Sequence, residues 1–240
     1  MSYFSSLLRL TISLRSACRS TAFYSNILHS AYFWGCEVVE EKLGTHITDP
    51  QRNDLRSALD VPFSYKVEAG TEDFCMYNPP LIQHTGTNAI AHEFAHASSP
   101  FYKRLSKGQQ EWLRRAWVRG KYLFPYFSAM LAASRSYAQY AGRAFPLINF
   151  ALKSLMVVSA AAMLPRLAEE AQASVRGCMA IGKVMGAEEA LKSAVFFAVC
   201  FGSYLLPLAE GVAMPAIFAK EAAVKKTVCG SLKKLFRRKR

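Results

Sequence analysis

Apolar residues are concentrated in the second half of the chain, in three segments that contain almost no charge. Residues 144–165 form a run of 22 residues interrupted only by Lys153, and residues 193–219 form a run of 27 interrupted only by Glu210. Both reach the length of about 20 residues that a helix needs to cross a bilayer. Residues 122–134 form a third, uncharged run of 13, which is short for a span unless it is extended or tilted.

The first half of the chain is more polar and contains one stretch with an alternating pattern. Asp49-Pro50 is typical of a helix start, and the pattern predicts a helix from there through Leu59. Residues 63–68 alternate as in a strand, and residues 74–77 are a second short stretch before two prolines break the chain. These features predict a short β-hairpin that turns at Ala69-Gly70.

Together the patterns predict a mainly α, membrane-embedded protein with at most a short β-hairpin, integral to the membrane and crossing it more than once. Residues 1–36 are basic and apolar, which is typical of a targeting peptide, an interfacial helix or a weak membrane segment. Residues 37–219 are expected to form the functional domain. Residues 220–240 form a basic tail with nine Lys or Arg and one Glu, which favours the cytoplasmic face of a bilayer.

The formal net charge of +13 raises the question of which anionic partner the chain binds. Because the positive charge lies beside apolar runs, anionic lipid is favoured over nucleic acid. Residues 103–121 predict a basic helix whose Trp112 and Trp117 suit a membrane interface, the alternative being a solvated basic face with two tryptophans in a core. Six scattered cysteines without a C-x-x-C pair argue against a disulfide framework or a cysteine zinc site.

The chemistry of the chain centres on His92-Glu93-Phe94-Ala95-His96, an H-E-x-x-H pattern. On a helix, His92 and His96 lie one turn apart on the same face, where both imidazoles can bind one Zn²⁺. Glu93 can accept a proton from a water that the zinc has acidified. The other residues of 89–97 are small or apolar, which predicts a buried helix whose polar groups need a partner such as a metal. The helix is expected to start at Thr87 or Asn88 and to end before Pro100.

A catalytic zinc of this kind needs a third protein ligand and an open position for water. The sequence offers four candidates, which are His84, Glu111, Glu169 and Glu170. Two apolar segments between His96 and Glu170 would return the chain to its starting side, so a glutamate placed after them can reach the histidines. The alternative is that Glu169 and Glu170 form solvated ion pairs with Arg166 and Arg176. For an oxyanion donor, Tyr77, His84 and a backbone amide remain open.

These residues resemble the membrane-bound neutral zinc metallopeptidases of bacteria. The resemblance rests on the H-E-x-x-H motif, on Leu164-Pro165 and on Glu170-Ala171-Gln172-Ala173-Ser174, and it covers roughly residues 60–210. It implies that His92, His96 and Glu170 are zinc ligands, that Glu93 is the general base and that Ser174 supports a ligand histidine. The chain departs from the family pattern in having Ala95 before the second histidine and a longer spacing after Leu-Pro.

The resulting functional hypothesis is a membrane-associated zinc endopeptidase that hydrolyses peptide bonds with zinc-activated water and Glu93 as the base. Its expected cofactor is Zn²⁺, and its expected partners are a peptide or membrane-protein substrate and an anionic lipid membrane, with no nucleic acid. The alternative is a non-enzymatic integral membrane protein whose basic tail and Trp-rich helix organise lipid or a protein partner. Metal content separates the two hypotheses.

Overall fold

The computed structural model describes the backbone of residues 3–77, 79–141 and 145–237, with the side chains of 6–76, 79–101, 104–139 and 145–216. The described chain is mainly helical, as the sequence predicts. Its helices are α1 Tyr3–Leu43, α2 Asp49–Ala58, α3 Ala89–Ala97, α4 Pro100–Lys103, α5 Lys107–Ala141, α6 Pro146–Met185 and α7 Ala187–Arg237. Most of the basic tail lies on α7, and its side chains are outside the described part of the structure.

A small mixed sheet replaces the predicted hairpin. Its strands are β1 Lys66–Ala69, β2 Phe74–Tyr77 and β3 Pro80–His84, in the order β1-β3-β2. Strand β3 pairs in parallel with β1 and antiparallel with β2, so the prediction that the chain pairs across Ala69-Gly70 is wrong. The two prolines were expected to break the chain. Pro80 is instead the first residue of a strand, a position that a proline tolerates.

Helices α2 and α3 lie close to where the sequence predicts them, although α2 ends at Ala58, one residue before the predicted end at Leu59. Helix α2 starts at Asp49 after Thr48, whose backbone N–H donates to the Gln51 side chain at 3.0 Å. Helix α3 follows Asn88 and ends at Ala97, ahead of Pro100. At its C-terminal end the Ser98 N–H donates to the Phe94 carbonyl, which satisfies a group that the helix end would otherwise leave free.

The apolar segments lie in helices that are much longer than the segments themselves. Helix α6 continues through Pro165, so residues 146–165 of the second apolar segment and the glutamates that follow share one helix. Two helices, Pro146–Met185 and Ala187–Ala216, are long and apolar enough to cross a membrane. Only 17% and 28% of their most apolar windows are buried, whereas a core helix of a soluble protein is mostly buried. Residues 122–134 lie in α5.

The basic helix predicted for residues 103–121 corresponds to the first part of α5, but it begins only at Lys107, because Lys103 belongs to α4. Its two tryptophans have different surroundings. Trp112 is 66% exposed, whereas Trp117 is 8% exposed and packs against Tyr204 with 5.6 Å between the ring centroids. One indole is therefore free for an interface and the other belongs to a core.

The chain forms two compact units, each assembled from pieces that are distant in sequence. The first comprises Met1–Leu28, Val118–Ala162 and Leu206–Arg240, and the second comprises His29–Trp117 and Met163–Leu205. In the second unit, fully buried side chains from α2, the sheet, α3 and α6 form one core; they include Leu55, Ile82, Ile90, Phe94 and Ile181. Helix α3 is thus held inside this core rather than on its surface.

The first unit shows how a proline is accommodated inside α7. Pro215 has no N–H, so the carbonyl of Gly211, four residues earlier, loses its helical partner. The Ser128 hydroxyl of α5 donates to this carbonyl. The ring of Phe124 packs so closely on Gly211 that a Cβ there would collide with it. A glycine, a proline and a serine therefore set the packing of α5 against α7.

Candidate metal centre

The two histidines of α3 point their ring nitrogens at one place. The Nε2 atoms of His92 and His96 are 2.9 Å apart, and the ring planes are inclined at 84°. Helical spacing of four residues brings the rings together, and the surrounding small residues leave α3 free to pack on all sides. His96 is 3% exposed, while the His92 side chain keeps 17% exposure, so the site opens to its surroundings past His92.

A carboxylate oxygen of Glu170 completes the arrangement. Glu170 Oε2 lies 3.1 Å from His92 Nε2 and 3.3 Å from His96 Nε2. Three ligand atoms that bind a tetrahedral zinc at about 2.0–2.1 Å are separated from one another by roughly 3.3 Å. The three atoms of this chain, with edges of 2.9, 3.1 and 3.3 Å, therefore fit the ligand triangle of such an ion.

The other ring nitrogen of each histidine is held by a separate side chain. His92 Nδ1 lies 3.3 Å from Ser174 Oγ, and the Ser174 hydroxyl donates to the backbone carbonyl of Glu170 at 2.9 Å. His96 Nδ1 contacts the carboxylate of Glu169. Both contacts favour a proton on Nδ1, which leaves the Nε2 lone pairs free for a metal.

Arg166 forms ion pairs with the two glutamates from one helical turn earlier. Its Nη2 lies 2.5 Å from Glu170 Oε1, and its Nη1 contacts Glu169. The ion pairs expected between these glutamates and Arg166 therefore form, but Glu169 is 3% exposed and Glu170 is fully buried, so the prediction that the pairs are solvated is wrong. A buried carboxylate needs a partner, and here each glutamate has the guanidinium on one side and a histidine on the other.

Glu93 is buried beside the histidines without taking part in the triangle. One of its carboxylate oxygens lies within 4.8 Å of a ring nitrogen from each histidine. Burial raises the pKa of Glu93, and the neighbouring His96 and His92 only partly offset this. A carboxylate with a raised pKa is a better proton acceptor than an exposed one, which suits a general base.

The charges of the site determine whether His96 carries a second proton when no metal is bound. Burial acts to lower the pKa of His96, but Glu170 and Glu169 outweigh it and raise the pKa to about 10. The imidazole is then protonated at neutral pH. Its positive charge and that of Arg166 together balance the two negative charges of Glu169 and Glu170. A metal that binds at Nε2 replaces this proton.

Helix α3 is fixed to the other helices at both ends and in the middle. The Asn88 amide donates to Ser193 Oγ at 2.8 Å, and Arg176 donates to the carbonyl of Ala95 and to Ser98 Oγ at 3.2 and 2.9 Å. Between them, a Cβ at Gly177 would lie 3.1 Å from the backbone N of His92. Glycine therefore permits the close approach of α6 that brings Glu170 to the histidines.

The remaining sequence candidates have other partners. His84 is buried at the end of β3 with its Nε2 3.4 Å from Arg52, and Glu111 is held on the surface by Arg114 and Arg115 at 2.8 and 2.7 Å. The side chain of Tyr77 lies outside the described part of the structure.

Tyr204, whose hydroxyl contacts the carboxylate of Glu170, was not among the residues predicted from the sequence. It lies in α7, 34 positions after Glu170, and no local motif marks it. The roles of Glu169 in holding His96 and of Arg176 in holding α3 were missed for the same reason, because each contact joins distant helices.

Comparison of the chain with protein-family models, with curated proteins and with solved structures gives no match. The likeness to neutral zinc metallopeptidases, the zinc ion and the ligand assignment stay predictions.

Proposed function

We propose that this chain is a membrane-associated zinc endopeptidase. The single observation that supports this most strongly is the convergence of two histidine Nε2 atoms and one buried carboxylate oxygen, with a second buried carboxylate, Glu93, beside them. Zinc hydrolases use three protein ligands of these types and leave one position open. The partial exposure of His92 supports an open side through which a substrate reaches the site.

Each residue of the site has a distinct task in this proposal. His92, His96 and Glu170 hold the zinc, which when bound acidifies a water and polarises the scissile carbonyl. Glu93 accepts the proton of the attacking water and returns it to the leaving amine. Ser174 and Glu169 fix the imidazoles in the Nδ1–H tautomer. Tyr204, which lies beside Glu170, is our added candidate for the donor to the developing oxyanion.

Removal of the metal tests the proposal directly. The purified full chain is expected to contain about one zinc per chain, because the site has one ligand triangle. Dialysis against 1,10-phenanthroline should abolish hydrolysis of a labelled unfolded protein, and one equivalent of zinc should restore it. The measurements are elemental analysis and fluorescence release. Full hydrolysis by metal-free protein would contradict the proposal.

The membrane part of the proposal is supported by the two long apolar helices and by their low burial. We expect the protein to remain in the membrane pellet after washing at pH 11 with carbonate, since apolar spans are held by the hydrophobic effect rather than by charge. Immunoblotting of pellet and supernatant measures this. Release into the supernatant would show that the helices do not span a bilayer.

A further inference from the structure

A cavity lies in the first compact unit. It has a volume of about 400 Å³ and is lined by residues of α5, α6 and α7. Its walls are mainly apolar; they include Phe124, Leu131, Met156, Val157 and Val212. The volume falls within the range of roughly 300–1,000 Å³ that is typical of small-molecule sites.

Two cations line this apolar cavity, Arg135 from α5 and Lys153 from α6. Both side chains are exposed, and among the side chains that the structure describes neither has an ion-pair partner. Ser128 and Gly211, which also line the cavity, are hydrogen-bonded to each other. The two positive groups are therefore available to a ligand, whereas the Ser128 hydroxyl is already used.

The two cations lie at the same level of the α5–α6 pair. Arg135 is six residues before the end of α5 at Ala141, and Lys153 is seven residues after the start of α6 at Pro146. With a rise of about 1.5 Å per residue, each is roughly 10 Å along its helix from the α5–α6 connection. Long basic side chains at this depth can reach the headgroup layer of a bilayer.

We propose that this cavity binds one anionic phospholipid, with the phosphate between Arg135 and Lys153 and an acyl chain along the apolar wall. An unpaired lysine within an apolar segment is costly in a membrane, and a lipid phosphate supplies the missing charge. Basic pockets between membrane helices recognise anionic headgroups for this reason. The proposal rests on the membrane association proposed above and is independent of peptide hydrolysis.

Native mass spectrometry of the detergent-solubilised full chain tests the proposal. The probes are palmitoyl-oleoyl phosphatidylglycerol, the corresponding phosphatidylcholine, and glycerol 3-phosphate, which has the phosphate without chains. The wild type should bind one phosphatidylglycerol in preference to phosphatidylcholine. In the double variant Arg135→Gln/Lys153→Gln, affinity for phosphatidylglycerol should fall about 25-fold, since two headgroup contacts of about five-fold each are lost.

A matched control removes the same charge elsewhere in the same unit. Arg9→Gln/Arg15→Gln alters two exposed arginines of α1 and should leave the lipid preference unchanged. Val157→Trp fills the cavity while keeping both cations, and it should weaken binding of phosphatidylglycerol. Circular dichroism verifies that all variants keep their helices, and their zinc content should equal that of the wild type.

Three outcomes would overturn the proposal. An equal loss in the α1 control would mean that general charge attraction holds the lipid. Competition by glycerol 3-phosphate as strong as that by the lipid would mean a simple anion site. A dimer that lipid does not displace, and that the Arg135/Lys153 variant loses, would mean that a second copy of the chain covers the cavity. Absence of zinc from the wild type would instead affect only the peptidase proposal.

Discussion

Replacing Glu93 with glutamine is expected to leave about one zinc per chain and to lower peptide hydrolysis by roughly 10²–10⁴-fold. The carboxylate is buried beside both histidines. In the proposed site it accepts a proton without binding the metal, so its loss should remove a proton acceptor and not a ligand. Glutamine has nearly the same shape and no charge, so the packing of α3 is retained. Elemental analysis and the labelled-protein assay together measure the two effects.

Two further variants test whether this effect is specific to the Glu93 carboxylate. His96→Ala removes one of the three proposed zinc ligands, so this variant should neither bind zinc nor hydrolyse the substrate. Glu111→Gln changes a surface carboxylate that Arg114 and Arg115 hold, and it should behave as the wild type. If Glu93→Gln lost the zinc, Glu93 would be a ligand. If it hydrolysed at the wild-type rate, the base would be another group.

Glu170→Ala is expected to weaken zinc binding much more than Glu169→Ala. Glu170 has an oxygen that lies 3.1 and 3.3 Å from the two Nε2 atoms, so in the proposed site its loss removes a ligand. Glu169 contacts His96 Nδ1, and in the proposed site it orients that ring without binding the metal. Loss of such an orienting group costs about 10–100-fold in metal affinity. Competition with a chromophoric zinc chelator measures both affinities on one scale.

Substitution by glutamine separates charge from shape in this pair. Both Glu170→Gln and Glu169→Gln keep a group of the same size beside Arg166, so a loss of zinc in the first variant alone cannot be attributed to a cavity. Thermal unfolding in the presence of a chelator checks that the metal-free variants are folded. A larger loss for Glu169 than for Glu170 would reverse the two assignments.

The helices near the metal centre follow from local sequence. Asp49-Pro50 starts α2, and the stretch between Asn88 and Pro100 can form only one short helix, because Pro100 disfavours helical backbone in the residue before it. The spacing of His92 and His96 then places both rings on one face whatever the rest of the fold does. These features are determined within a few residues of where they occur, and the sequence was sufficient to predict them.

The sheet could not be predicted in the same way, because strand pairing joins residues across loops. The pattern of residues 63–77 indicated extended chain, but it contained no information that β3 would lie between β1 and β2. The rule that prolines break elements also failed at Pro80, since that residue opens a strand and needs no N–H in the sheet at that point.

The sequence by itself determined that two histidines and a glutamate share one short, apolar helix and that long apolar helices follow it. It did not determine which of the adjacent residues Glu169 and Glu170 faces the histidine Nε2 atoms, since neighbours on a helix point about 100° apart and either can face inward. The tertiary structure places them, because α6 approaches α3 closely at Gly177 and Ser174 contacts His92. In this packing Glu170 contacts both Nε2 atoms, whereas Glu169 contacts the Nδ1 atom of His96.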